Sequence, residues 1–247
     1  MQAIEPMVEL PRMLAAAFGE GPIEAGIRRE EAKTLFDLLR RERPEMTAEI
    51  GCANGASTVA IASALECNGR GHHHAVDPFQ SATWDDAGKR FIAETGLADR
   101  VTFHDTFPEE VFPMLPELDF VFIDGSHLFD LTILDFVLAD KRLRPGGIVA
   151  FHDTWMPSIR KVLQFILANR AYEPLRLTSP PLSRAWSIAT TARRRLARCL
   201  ARIIAGDADI MPQSQSFKQL GLDRTNLVFT RKLYDDRRRN WRAFADF

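Results

Sequence analysis

Five short stretches carry side chains that can do chemistry together: "EIGCANGAST" (49–58), "AVDP" (75–78), "VTFHDT" (101–106), "FVFIDGSH" (120–127) and "FHDTW" (151–155). The last two hold the reactive groups. Asp124 and His127 stand three residues apart, and His152 and Asp153 are adjacent. An imidazole with an ordinary pKa of about 6.5 can take a hydroxyl proton near neutral pH, so His127 is a candidate base that Asp124 or Asp153 would orient. The same two carboxylates can instead hold Mg2+, which prefers oxygen ligands, and a metal on an acceptor hydroxyl lowers its pKa. The bland alternatives are a helix-capping role for His127 and a loop-facing role for His152.

The first three stretches read as a ligand cradle. Gly51 and Gly55 lie four apart after an apolar run. Glycine accepts positive φ and lets a ligand touch the backbone. The dinucleotide fingerprint is G-x-G-x-x-G, and Ala53 stands where its middle glycine belongs, which disfavours a pyrophosphate. Glu49 suits a cationic group. The turn therefore fits a ligand with a nucleoside part and a positive charge but no phosphates, or else a purely structural turn. Asp77 follows Gly51 by 26 residues, the place where an acid accepts hydrogen bonds from ribose hydroxyls. Asp105 or Thr106 is placed to meet an adenine edge.

The elements that must position these groups follow from periodicity. Residues 28–41 predict an amphipathic helix stopped before Pro44. Strands are expected at 46–50, 73–77, 100–104, 118–124 and 148–153, with helices at 56–67, 84–95, 128–143 and 157–169 and a turn at "RPGG" (144–147). Strand and helix alternate about every 20–25 residues over 46–169, the signature of a parallel sheet wound with helices on both faces. Functional residues in such sheets sit beyond the carboxyl ends of the strands. Segments 174–178 and 226–232 predict an antiparallel edge pair around an insertion that holds a basic helix, 192–206.

In this order and at these spacings, the five stretches, the last extended to "LRPGGIVAFHDTW", resemble the class I S-adenosylmethionine-dependent methyltransferases. More narrowly they are similar to a small bacterial O-methyltransferase-like branch with D-G-x-H followed by an H-D pair. The resemblance covers roughly 28–177 and again 226–232. It implies a Rossmann-like α/β sandwich of seven strands, mostly parallel, with an antiparallel edge hairpin. It implies Glu49, Gly51 and Gly55 around the methionine end of S-adenosylmethionine, Asp77 at the ribose, and Asn54 and Ser57 as further cofactor-binding residues. Asp105 and Thr106 would lie at the adenine and Asp124 beside the cofactor. Asp124 and Asp153 match the metal acids of catechol and caffeoyl-CoA O-methyltransferases. Thr154 replaces an Asn ligand of that family, and His127 stands where those enzymes carry a catalytic Lys.

Composition bounds the rest. The net charge is −1, from 32 basic and 33 acidic residues, so no nucleic-acid partner is expected. The balance is uneven: residues 1–175 hold 17 basic and 27 acidic side chains, and residues 176–247 hold 15 and 6. Three cysteines without C-x-x-C spacing fit a reducing compartment, and a cytoplasmic enzyme without a membrane span is expected. The chain reads as one domain, with an N-terminal extension (1–27), an insertion or lid (178–225) and a tail (233–247) packed on the domain or on a second subunit as a homodimer. "GHHH" (71–74) reads as a loop leading into a strand, because adjacent strand residues point to opposite faces. Trp155 and Trp186 are candidate acceptor-pocket aromatics. The acceptor is expected to be a hydroxylated small molecule or a sugar-containing metabolite. Two other readings use the same residues: a nicotinamide oxidoreductase, or a non-catalytic module that binds a membrane or acidic partner through its basic insertion.

Overall fold

A computed structural model describes residues 26–175, 225–236 and 247. Helix α1 (Arg29–Glu42) leads into β1 (Met46–Ile50), α2 (Ala56–Asn68), β2 (His72–Val76), α3 (Ala87–Thr95) and β3 (Val101–His104). Then come the short α4 (Pro108–Val111), β4 (Leu118–Ile123), α5 (Phe129–Arg142), β5 (Leu143–Phe151), α6 (Pro157–Asn169), β6 (Tyr172–Pro174) and β7 (Val228–Lys232). The seven strands form one sheet in the order β3-β2-β1-β4-β5-β7-β6. The first five are parallel, and β7 runs antiparallel to both β5 and β6. The Rossmann-like sandwich expected from the sequence is therefore the fold. The basic helix 192–206, Trp186, nearly all of the N-terminal extension and most of the tail lie outside the described residues.

Two differences from expectation have local causes. "RPGG" is part of β5 rather than a separate turn. Leu118 pairs with Leu143 while Phe120 already pairs with Ile148, so the glycine segment bulges out of the ladder. Strand β6 begins at Tyr172, two residues before the predicted start, because Glu173 and Pro174 pair with Arg231 and Thr230.

The strand order puts an apolar layer on each face of the sheet. Along β4, Phe120 and Phe122 meet α1 and α2, whereas Val121 and Ile123 meet α5 and α6. Helix α2 is buried nearly all round, as an almost uncharged helix must be when another helix covers it. Helix α1 covers it with Leu35, Phe36 and Leu39. The first turn of α1 is capped by Glu31, whose carboxylate accepts from the Arg28 amide at 2.8 Å. Among the described residues no helix is long and apolar enough to cross a membrane.

One buried acid strains this core. Asp135 lies on the inner side of α5, and burial, helped by the charge of Glu109, pushes its carboxyl up to about 7. An acid raised in the folded state adds stability below its unfolded pKa of about 3.9 and loses it as pH rises through 7. Asp135→Asn is therefore expected to leave urea stability unchanged near pH 4. At pH 8 it should raise stability, with an upper bound of roughly 4 kcal/mol from linkage.

Candidate active site

The parallel ladder continues one residue past each central strand and gathers the predicted groups on one rim. Gly51 N–H donates to the Val76 carbonyl at 2.9 Å and Asp77 N–H to the His104 carbonyl at 3.1 Å. Asp124 N–H donates to the Ile50 carbonyl at 2.9 Å, and His152 N–H to the Ile123 carbonyl at 3.2 Å. The glycine turn, Asp77, Asp124 and His152 thus share the carboxyl edge of the sheet.

The glycines have structural work of their own. Gly51 has φ 83°, and a Cβ there would lie 2.3 Å from the Asp124 carbonyl oxygen. Gly55 has φ 82°, and its Cβ would lie 3.0 Å from the Gly88 Cα. The close approach predicted at this turn is met first by the protein's own backbone, from β4 and from α3.

The carboxylates of the cradle divide their tasks. Asp77 Oδ2 accepts from the Cys52 and Ala53 amides (3.2 and 2.9 Å) and from Gln80 Nε2 (3.3 Å), while among the described residues Oδ1 accepts from the Phe79 amide alone, at 2.9 Å. A carboxylate oxygen has two lone pairs, so Oδ1 keeps one for a ligand hydroxyl. Glu49 faces inward and is fully buried. It accepts from Ser57 Oγ at 2.6 Å and from Thr58 Oγ1, and His73 Nε2 lies 3.1 Å away. Glu49 and Ser57 clamp the start of α2 onto β1. Asn54 sits in the turn between them. Asp105, at the end of β3, is paired with Lys89, and Thr106 donates to Glu110 at 2.6 Å. Cys52 in the turn is held protonated, since burial and then the charges of Glu49 and Asp77 push its thiol up.

The reactive groups do converge. His127 Nε2 lies 3.0 Å from Asp124 Oδ1 and 3.5 Å from Asp153 Oδ2. Both His127 (φ 61°) and Asp153 (φ 50°) adopt the left-handed conformation, uncommon for non-glycine residues and found at functional turns. Ser158 Oγ, at the start of α6, donates to the His127 carbonyl at 2.7 Å and steadies that turn. Trp155 Nε1 donates to Asp153 Oδ1 at 2.9 Å. The hydrogen bond to Asp124 raises the His127 pKa; burial opposes this, and the Asp124 and Asp153 charges add to the rise.

Behind this pair stands a second layer that the sequence did not reveal. His152 Nδ1 lies 3.1 Å from Asp124 Oδ1, and His152 Nε2 lies 3.2 Å from Glu31 Oε2 on α1. Asn226, just before β7, donates to Glu31 Oε1 at 2.9 Å. Burial alone would lower the His152 pKa, but the bonds and charges of Asp124 and Glu31 reverse this and raise it to about 10. His152 is therefore a buried imidazolium between two carboxylates. In the sequence Glu31 was one charge among several on the predicted helix 28–41, and Asn226 only the first residue of a predicted edge strand.

The comparisons with known proteins agree with this architecture. Residues 48–154 match the sequence profile of a family described as "Methyltransferase domain". A segment of 81 residues is 35% identical to an uncharacterized protein of Acanthamoeba polyphaga mimivirus, covering 28% of this chain and 36% of that one. Among solved structures, the O-methyltransferase TomG of Streptomyces achromogenes, involved in tomaymycin synthesis and bound to SAM, superposes with a TM-score of 0.53 at 19% identity over 92% of each chain. An O-methyltransferase from Bacillus cereus in complex with SAH superposes with a TM-score of 0.53 at 19% identity, over 69% of this chain and 86% of that one. Residues 48–154 thus resemble that family in sequence, and the chain is built on the class I methyltransferase fold.

Proposed function

We propose that this chain transfers a methyl group from S-adenosylmethionine to a hydroxyl oxygen of a small molecule or sugar-containing metabolite, with His127 as the base. One observation carries the reading. His127 Nε2 is committed to Asp124, and no described residue hydrogen-bonds Nδ1, on a ring 30% exposed at the rim that also holds the glycine turn and Asp77. The logic is that of any carboxylate–imidazole dyad: the acid fixes the tautomer and the opposite nitrogen takes the proton.

The cradle fits the cofactor. Asp77 Oδ1 retains an acceptor position for a ribose hydroxyl, and the backbone from Gly51 to Gly55 lies beside it. The bound cofactor supplies an activated methyl on a sulfonium, so little covalent chemistry falls to the protein. The protein's task is to align the acceptor oxygen with the methyl carbon and remove the proton. Asp124 orients His127 and stabilises its protonated form, and Asp153 adds a second carboxylate 3.5 Å from the same nitrogen.

A magnesium centre fits these residues less well. Asp124, His152 and Asp153 do offer three donor atoms within 4.8 Å of one another. Yet Asp124 Oδ1 already takes two imidazoles, and His152 is bonded at both nitrogens. The Thr154 hydroxyl donates to the Thr225 carbonyl at 2.6 Å. We assign no step to a metal.

The test uses the whole chain with methyl-labelled S-adenosylmethionine and a panel of hydroxylated acceptors, alongside calorimetric titration of S-adenosylmethionine and NAD(P)+. Cofactor binding with label transfer to oxygen is expected, and EDTA should leave turnover unchanged. Binding of NAD(P)+ without S-adenosylmethionine would overturn the reading. Loss of turnover in EDTA and its return with Mg2+ would restore the metal route.

A further inference from the structure

Building on the cofactor reading above, we propose that Gln80 is a positioning residue for S-adenosylmethionine. It acts through Asp77, setting how strongly the cradle reads a ribose hydroxyl, and makes no ligand contact of its own. In the sequence Gln80 is one polar residue in "PFQSATW" (78–84), without a signal of its own. In the structure its side chain is fully buried against the glycine turn.

The loop after β2 folds around this residue. The Gln80 amide donates to the Asp77 carbonyl at 3.4 Å, and the Gln80 carbonyl accepts from the Asp86 amide at 2.8 Å. Asp85 (φ 48°) and Asp86 (φ 56°) both take the left-handed conformation as the chain turns into α3. The side-chain amide then joins this loop to the turn after β1. An amide nitrogen has two hydrogens to donate, and both are used. Gln80 Nε2 donates to the Ala53 carbonyl at 2.7 Å and to Asp77 Oδ2 at 3.3 Å. The Ala53 amide donates to the same Oδ2 at 2.9 Å, which closes a ring of three residues. Ala53 has φ 43°, uncommon for a residue with a Cβ, and both of its backbone polar groups are answered from the β2 side. With the Cys52 amide at 3.2 Å, Oδ2 takes three N–H donors. They fix the rotation of the carboxylate and leave its spare lone pair on Oδ1.

Packing argues that the amide is there for its donor end. Gln80 Oε1 is buried, and among the described residues it has no hydrogen-bond partner. An unanswered buried acceptor is costly, and an apolar side chain of the same length would avoid that cost. The fit is also close: a Cβ on Gly88 would lie 2.9 Å from Oε1 and 3.0 Å from the Ala53 carbonyl oxygen. Gln80 is thus wedged between α3 and the turn, its acceptor against Gly88 and its donors on Ala53 and Asp77.

The experiment titrates the full chain by calorimetry with S-adenosylhomocysteine and with its 2′-deoxy and 3′-deoxy analogues. The wild type should bind S-adenosylhomocysteine and bind one deoxy analogue at least about 10-fold more weakly, as loss of a hydrogen bond to a carboxylate predicts. Gln80→Met and Gln80→Leu remove the donors while keeping an apolar group of similar size. Each should weaken S-adenosylhomocysteine by about 10-fold and that analogue by less than about threefold, so that the discrimination collapses. A role confined to packing would lower both affinities together and leave their ratio unchanged. Circular dichroism checks the fold of both variants. An unchanged ratio in a folded variant, a wild type that binds without discriminating, or failure of both variants to fold would each overturn the role of Gln80 and leave cofactor binding standing. A wild type that does not bind S-adenosylhomocysteine would instead overturn the cofactor reading, and the role of Gln80 with it.

Discussion

His127→Ala is expected to lower kcat by about 10²–10⁴, the range over which a positioned general base acts. S-adenosylmethionine affinity should stay within about threefold, because an interaction made only in the transition state is lost from kcat and not from binding. The split follows from the geometry. The imidazole reaches the rim from the turn after β4, while the cradle is built from the turn after β1 and from Asp77. The pH profile adds a sign. The base must be neutral to act, and Asp124 raises the His127 pKa, with Asp153 adding to this. Turnover should therefore climb with pH through a value above 6.5 before levelling, and Asp124→Asn should move that limb downward. Unchanged turnover in His127→Ala would remove it from the proton transfer.

Gly51→Ala carries the largest structural effect. The new methyl would stand 2.3 Å from the Asp124 carbonyl oxygen and 3.0 Å from the Gly125 Cα, both backbone atoms that cannot swing aside. The residue must also hold φ 83°, a left-handed conformation that disfavours a side chain by about 1–2 kcal/mol. Overpacking adds about 1–3 kcal/mol, for a total loss of roughly 2–5 kcal/mol of unfolding free energy. Gly69→Ala supplies the control. Gly69 has φ 70°, and nothing lies within 4 Å of its added methyl. It should lose only the conformational part, about 1–2 kcal/mol. Urea melts of the two variants isolate the overlap, and equal losses would mean that β1 and β4 part easily at the rim. Cofactor binding should fall in Gly51→Ala alone, since that overlap displaces the turn itself.

The strand ends were legible because buried parallel strands are written as short apolar runs that stop at a polar residue. "LDFVFID" stops at Asp124 and "IVAFHD" at His152, and both stops lie on the rim. Side-chain direction was less legible. Glu49 has the type and place of a ligand acid, yet alternation along β1 points it into the layer beneath α2. Glu31 and Asn226 were illegible for a different reason. Their partners lie 121 and 195 residues away, and nothing in the local pattern of an amphipathic helix or an edge strand marks such a contact. The His74–His104 contact was illegible in the same way, because it depends on which strand lies beside β2. Periodicity exposes faces and ends; neighbours arise from the order in which strands enter the sheet.

The Glu31–His152–Asn226 contact also bears on when the protein can first act. A ribosome makes α1 early and β7 late, and the Glu31 carboxylate that holds the imidazolium joins the two, through its own helix and through Asn226. A nascent chain that has released α1 and β1 to β5 can already set Asp124 and Glu31 on His152, yet Glu31 Oε1 would lack its Asn226 donor until residue 226 has emerged. Long-range closures of this kind form late in folding because the loop they close is long. Catalytic competence should thus arrive near the end of synthesis, after most of the sheet has formed.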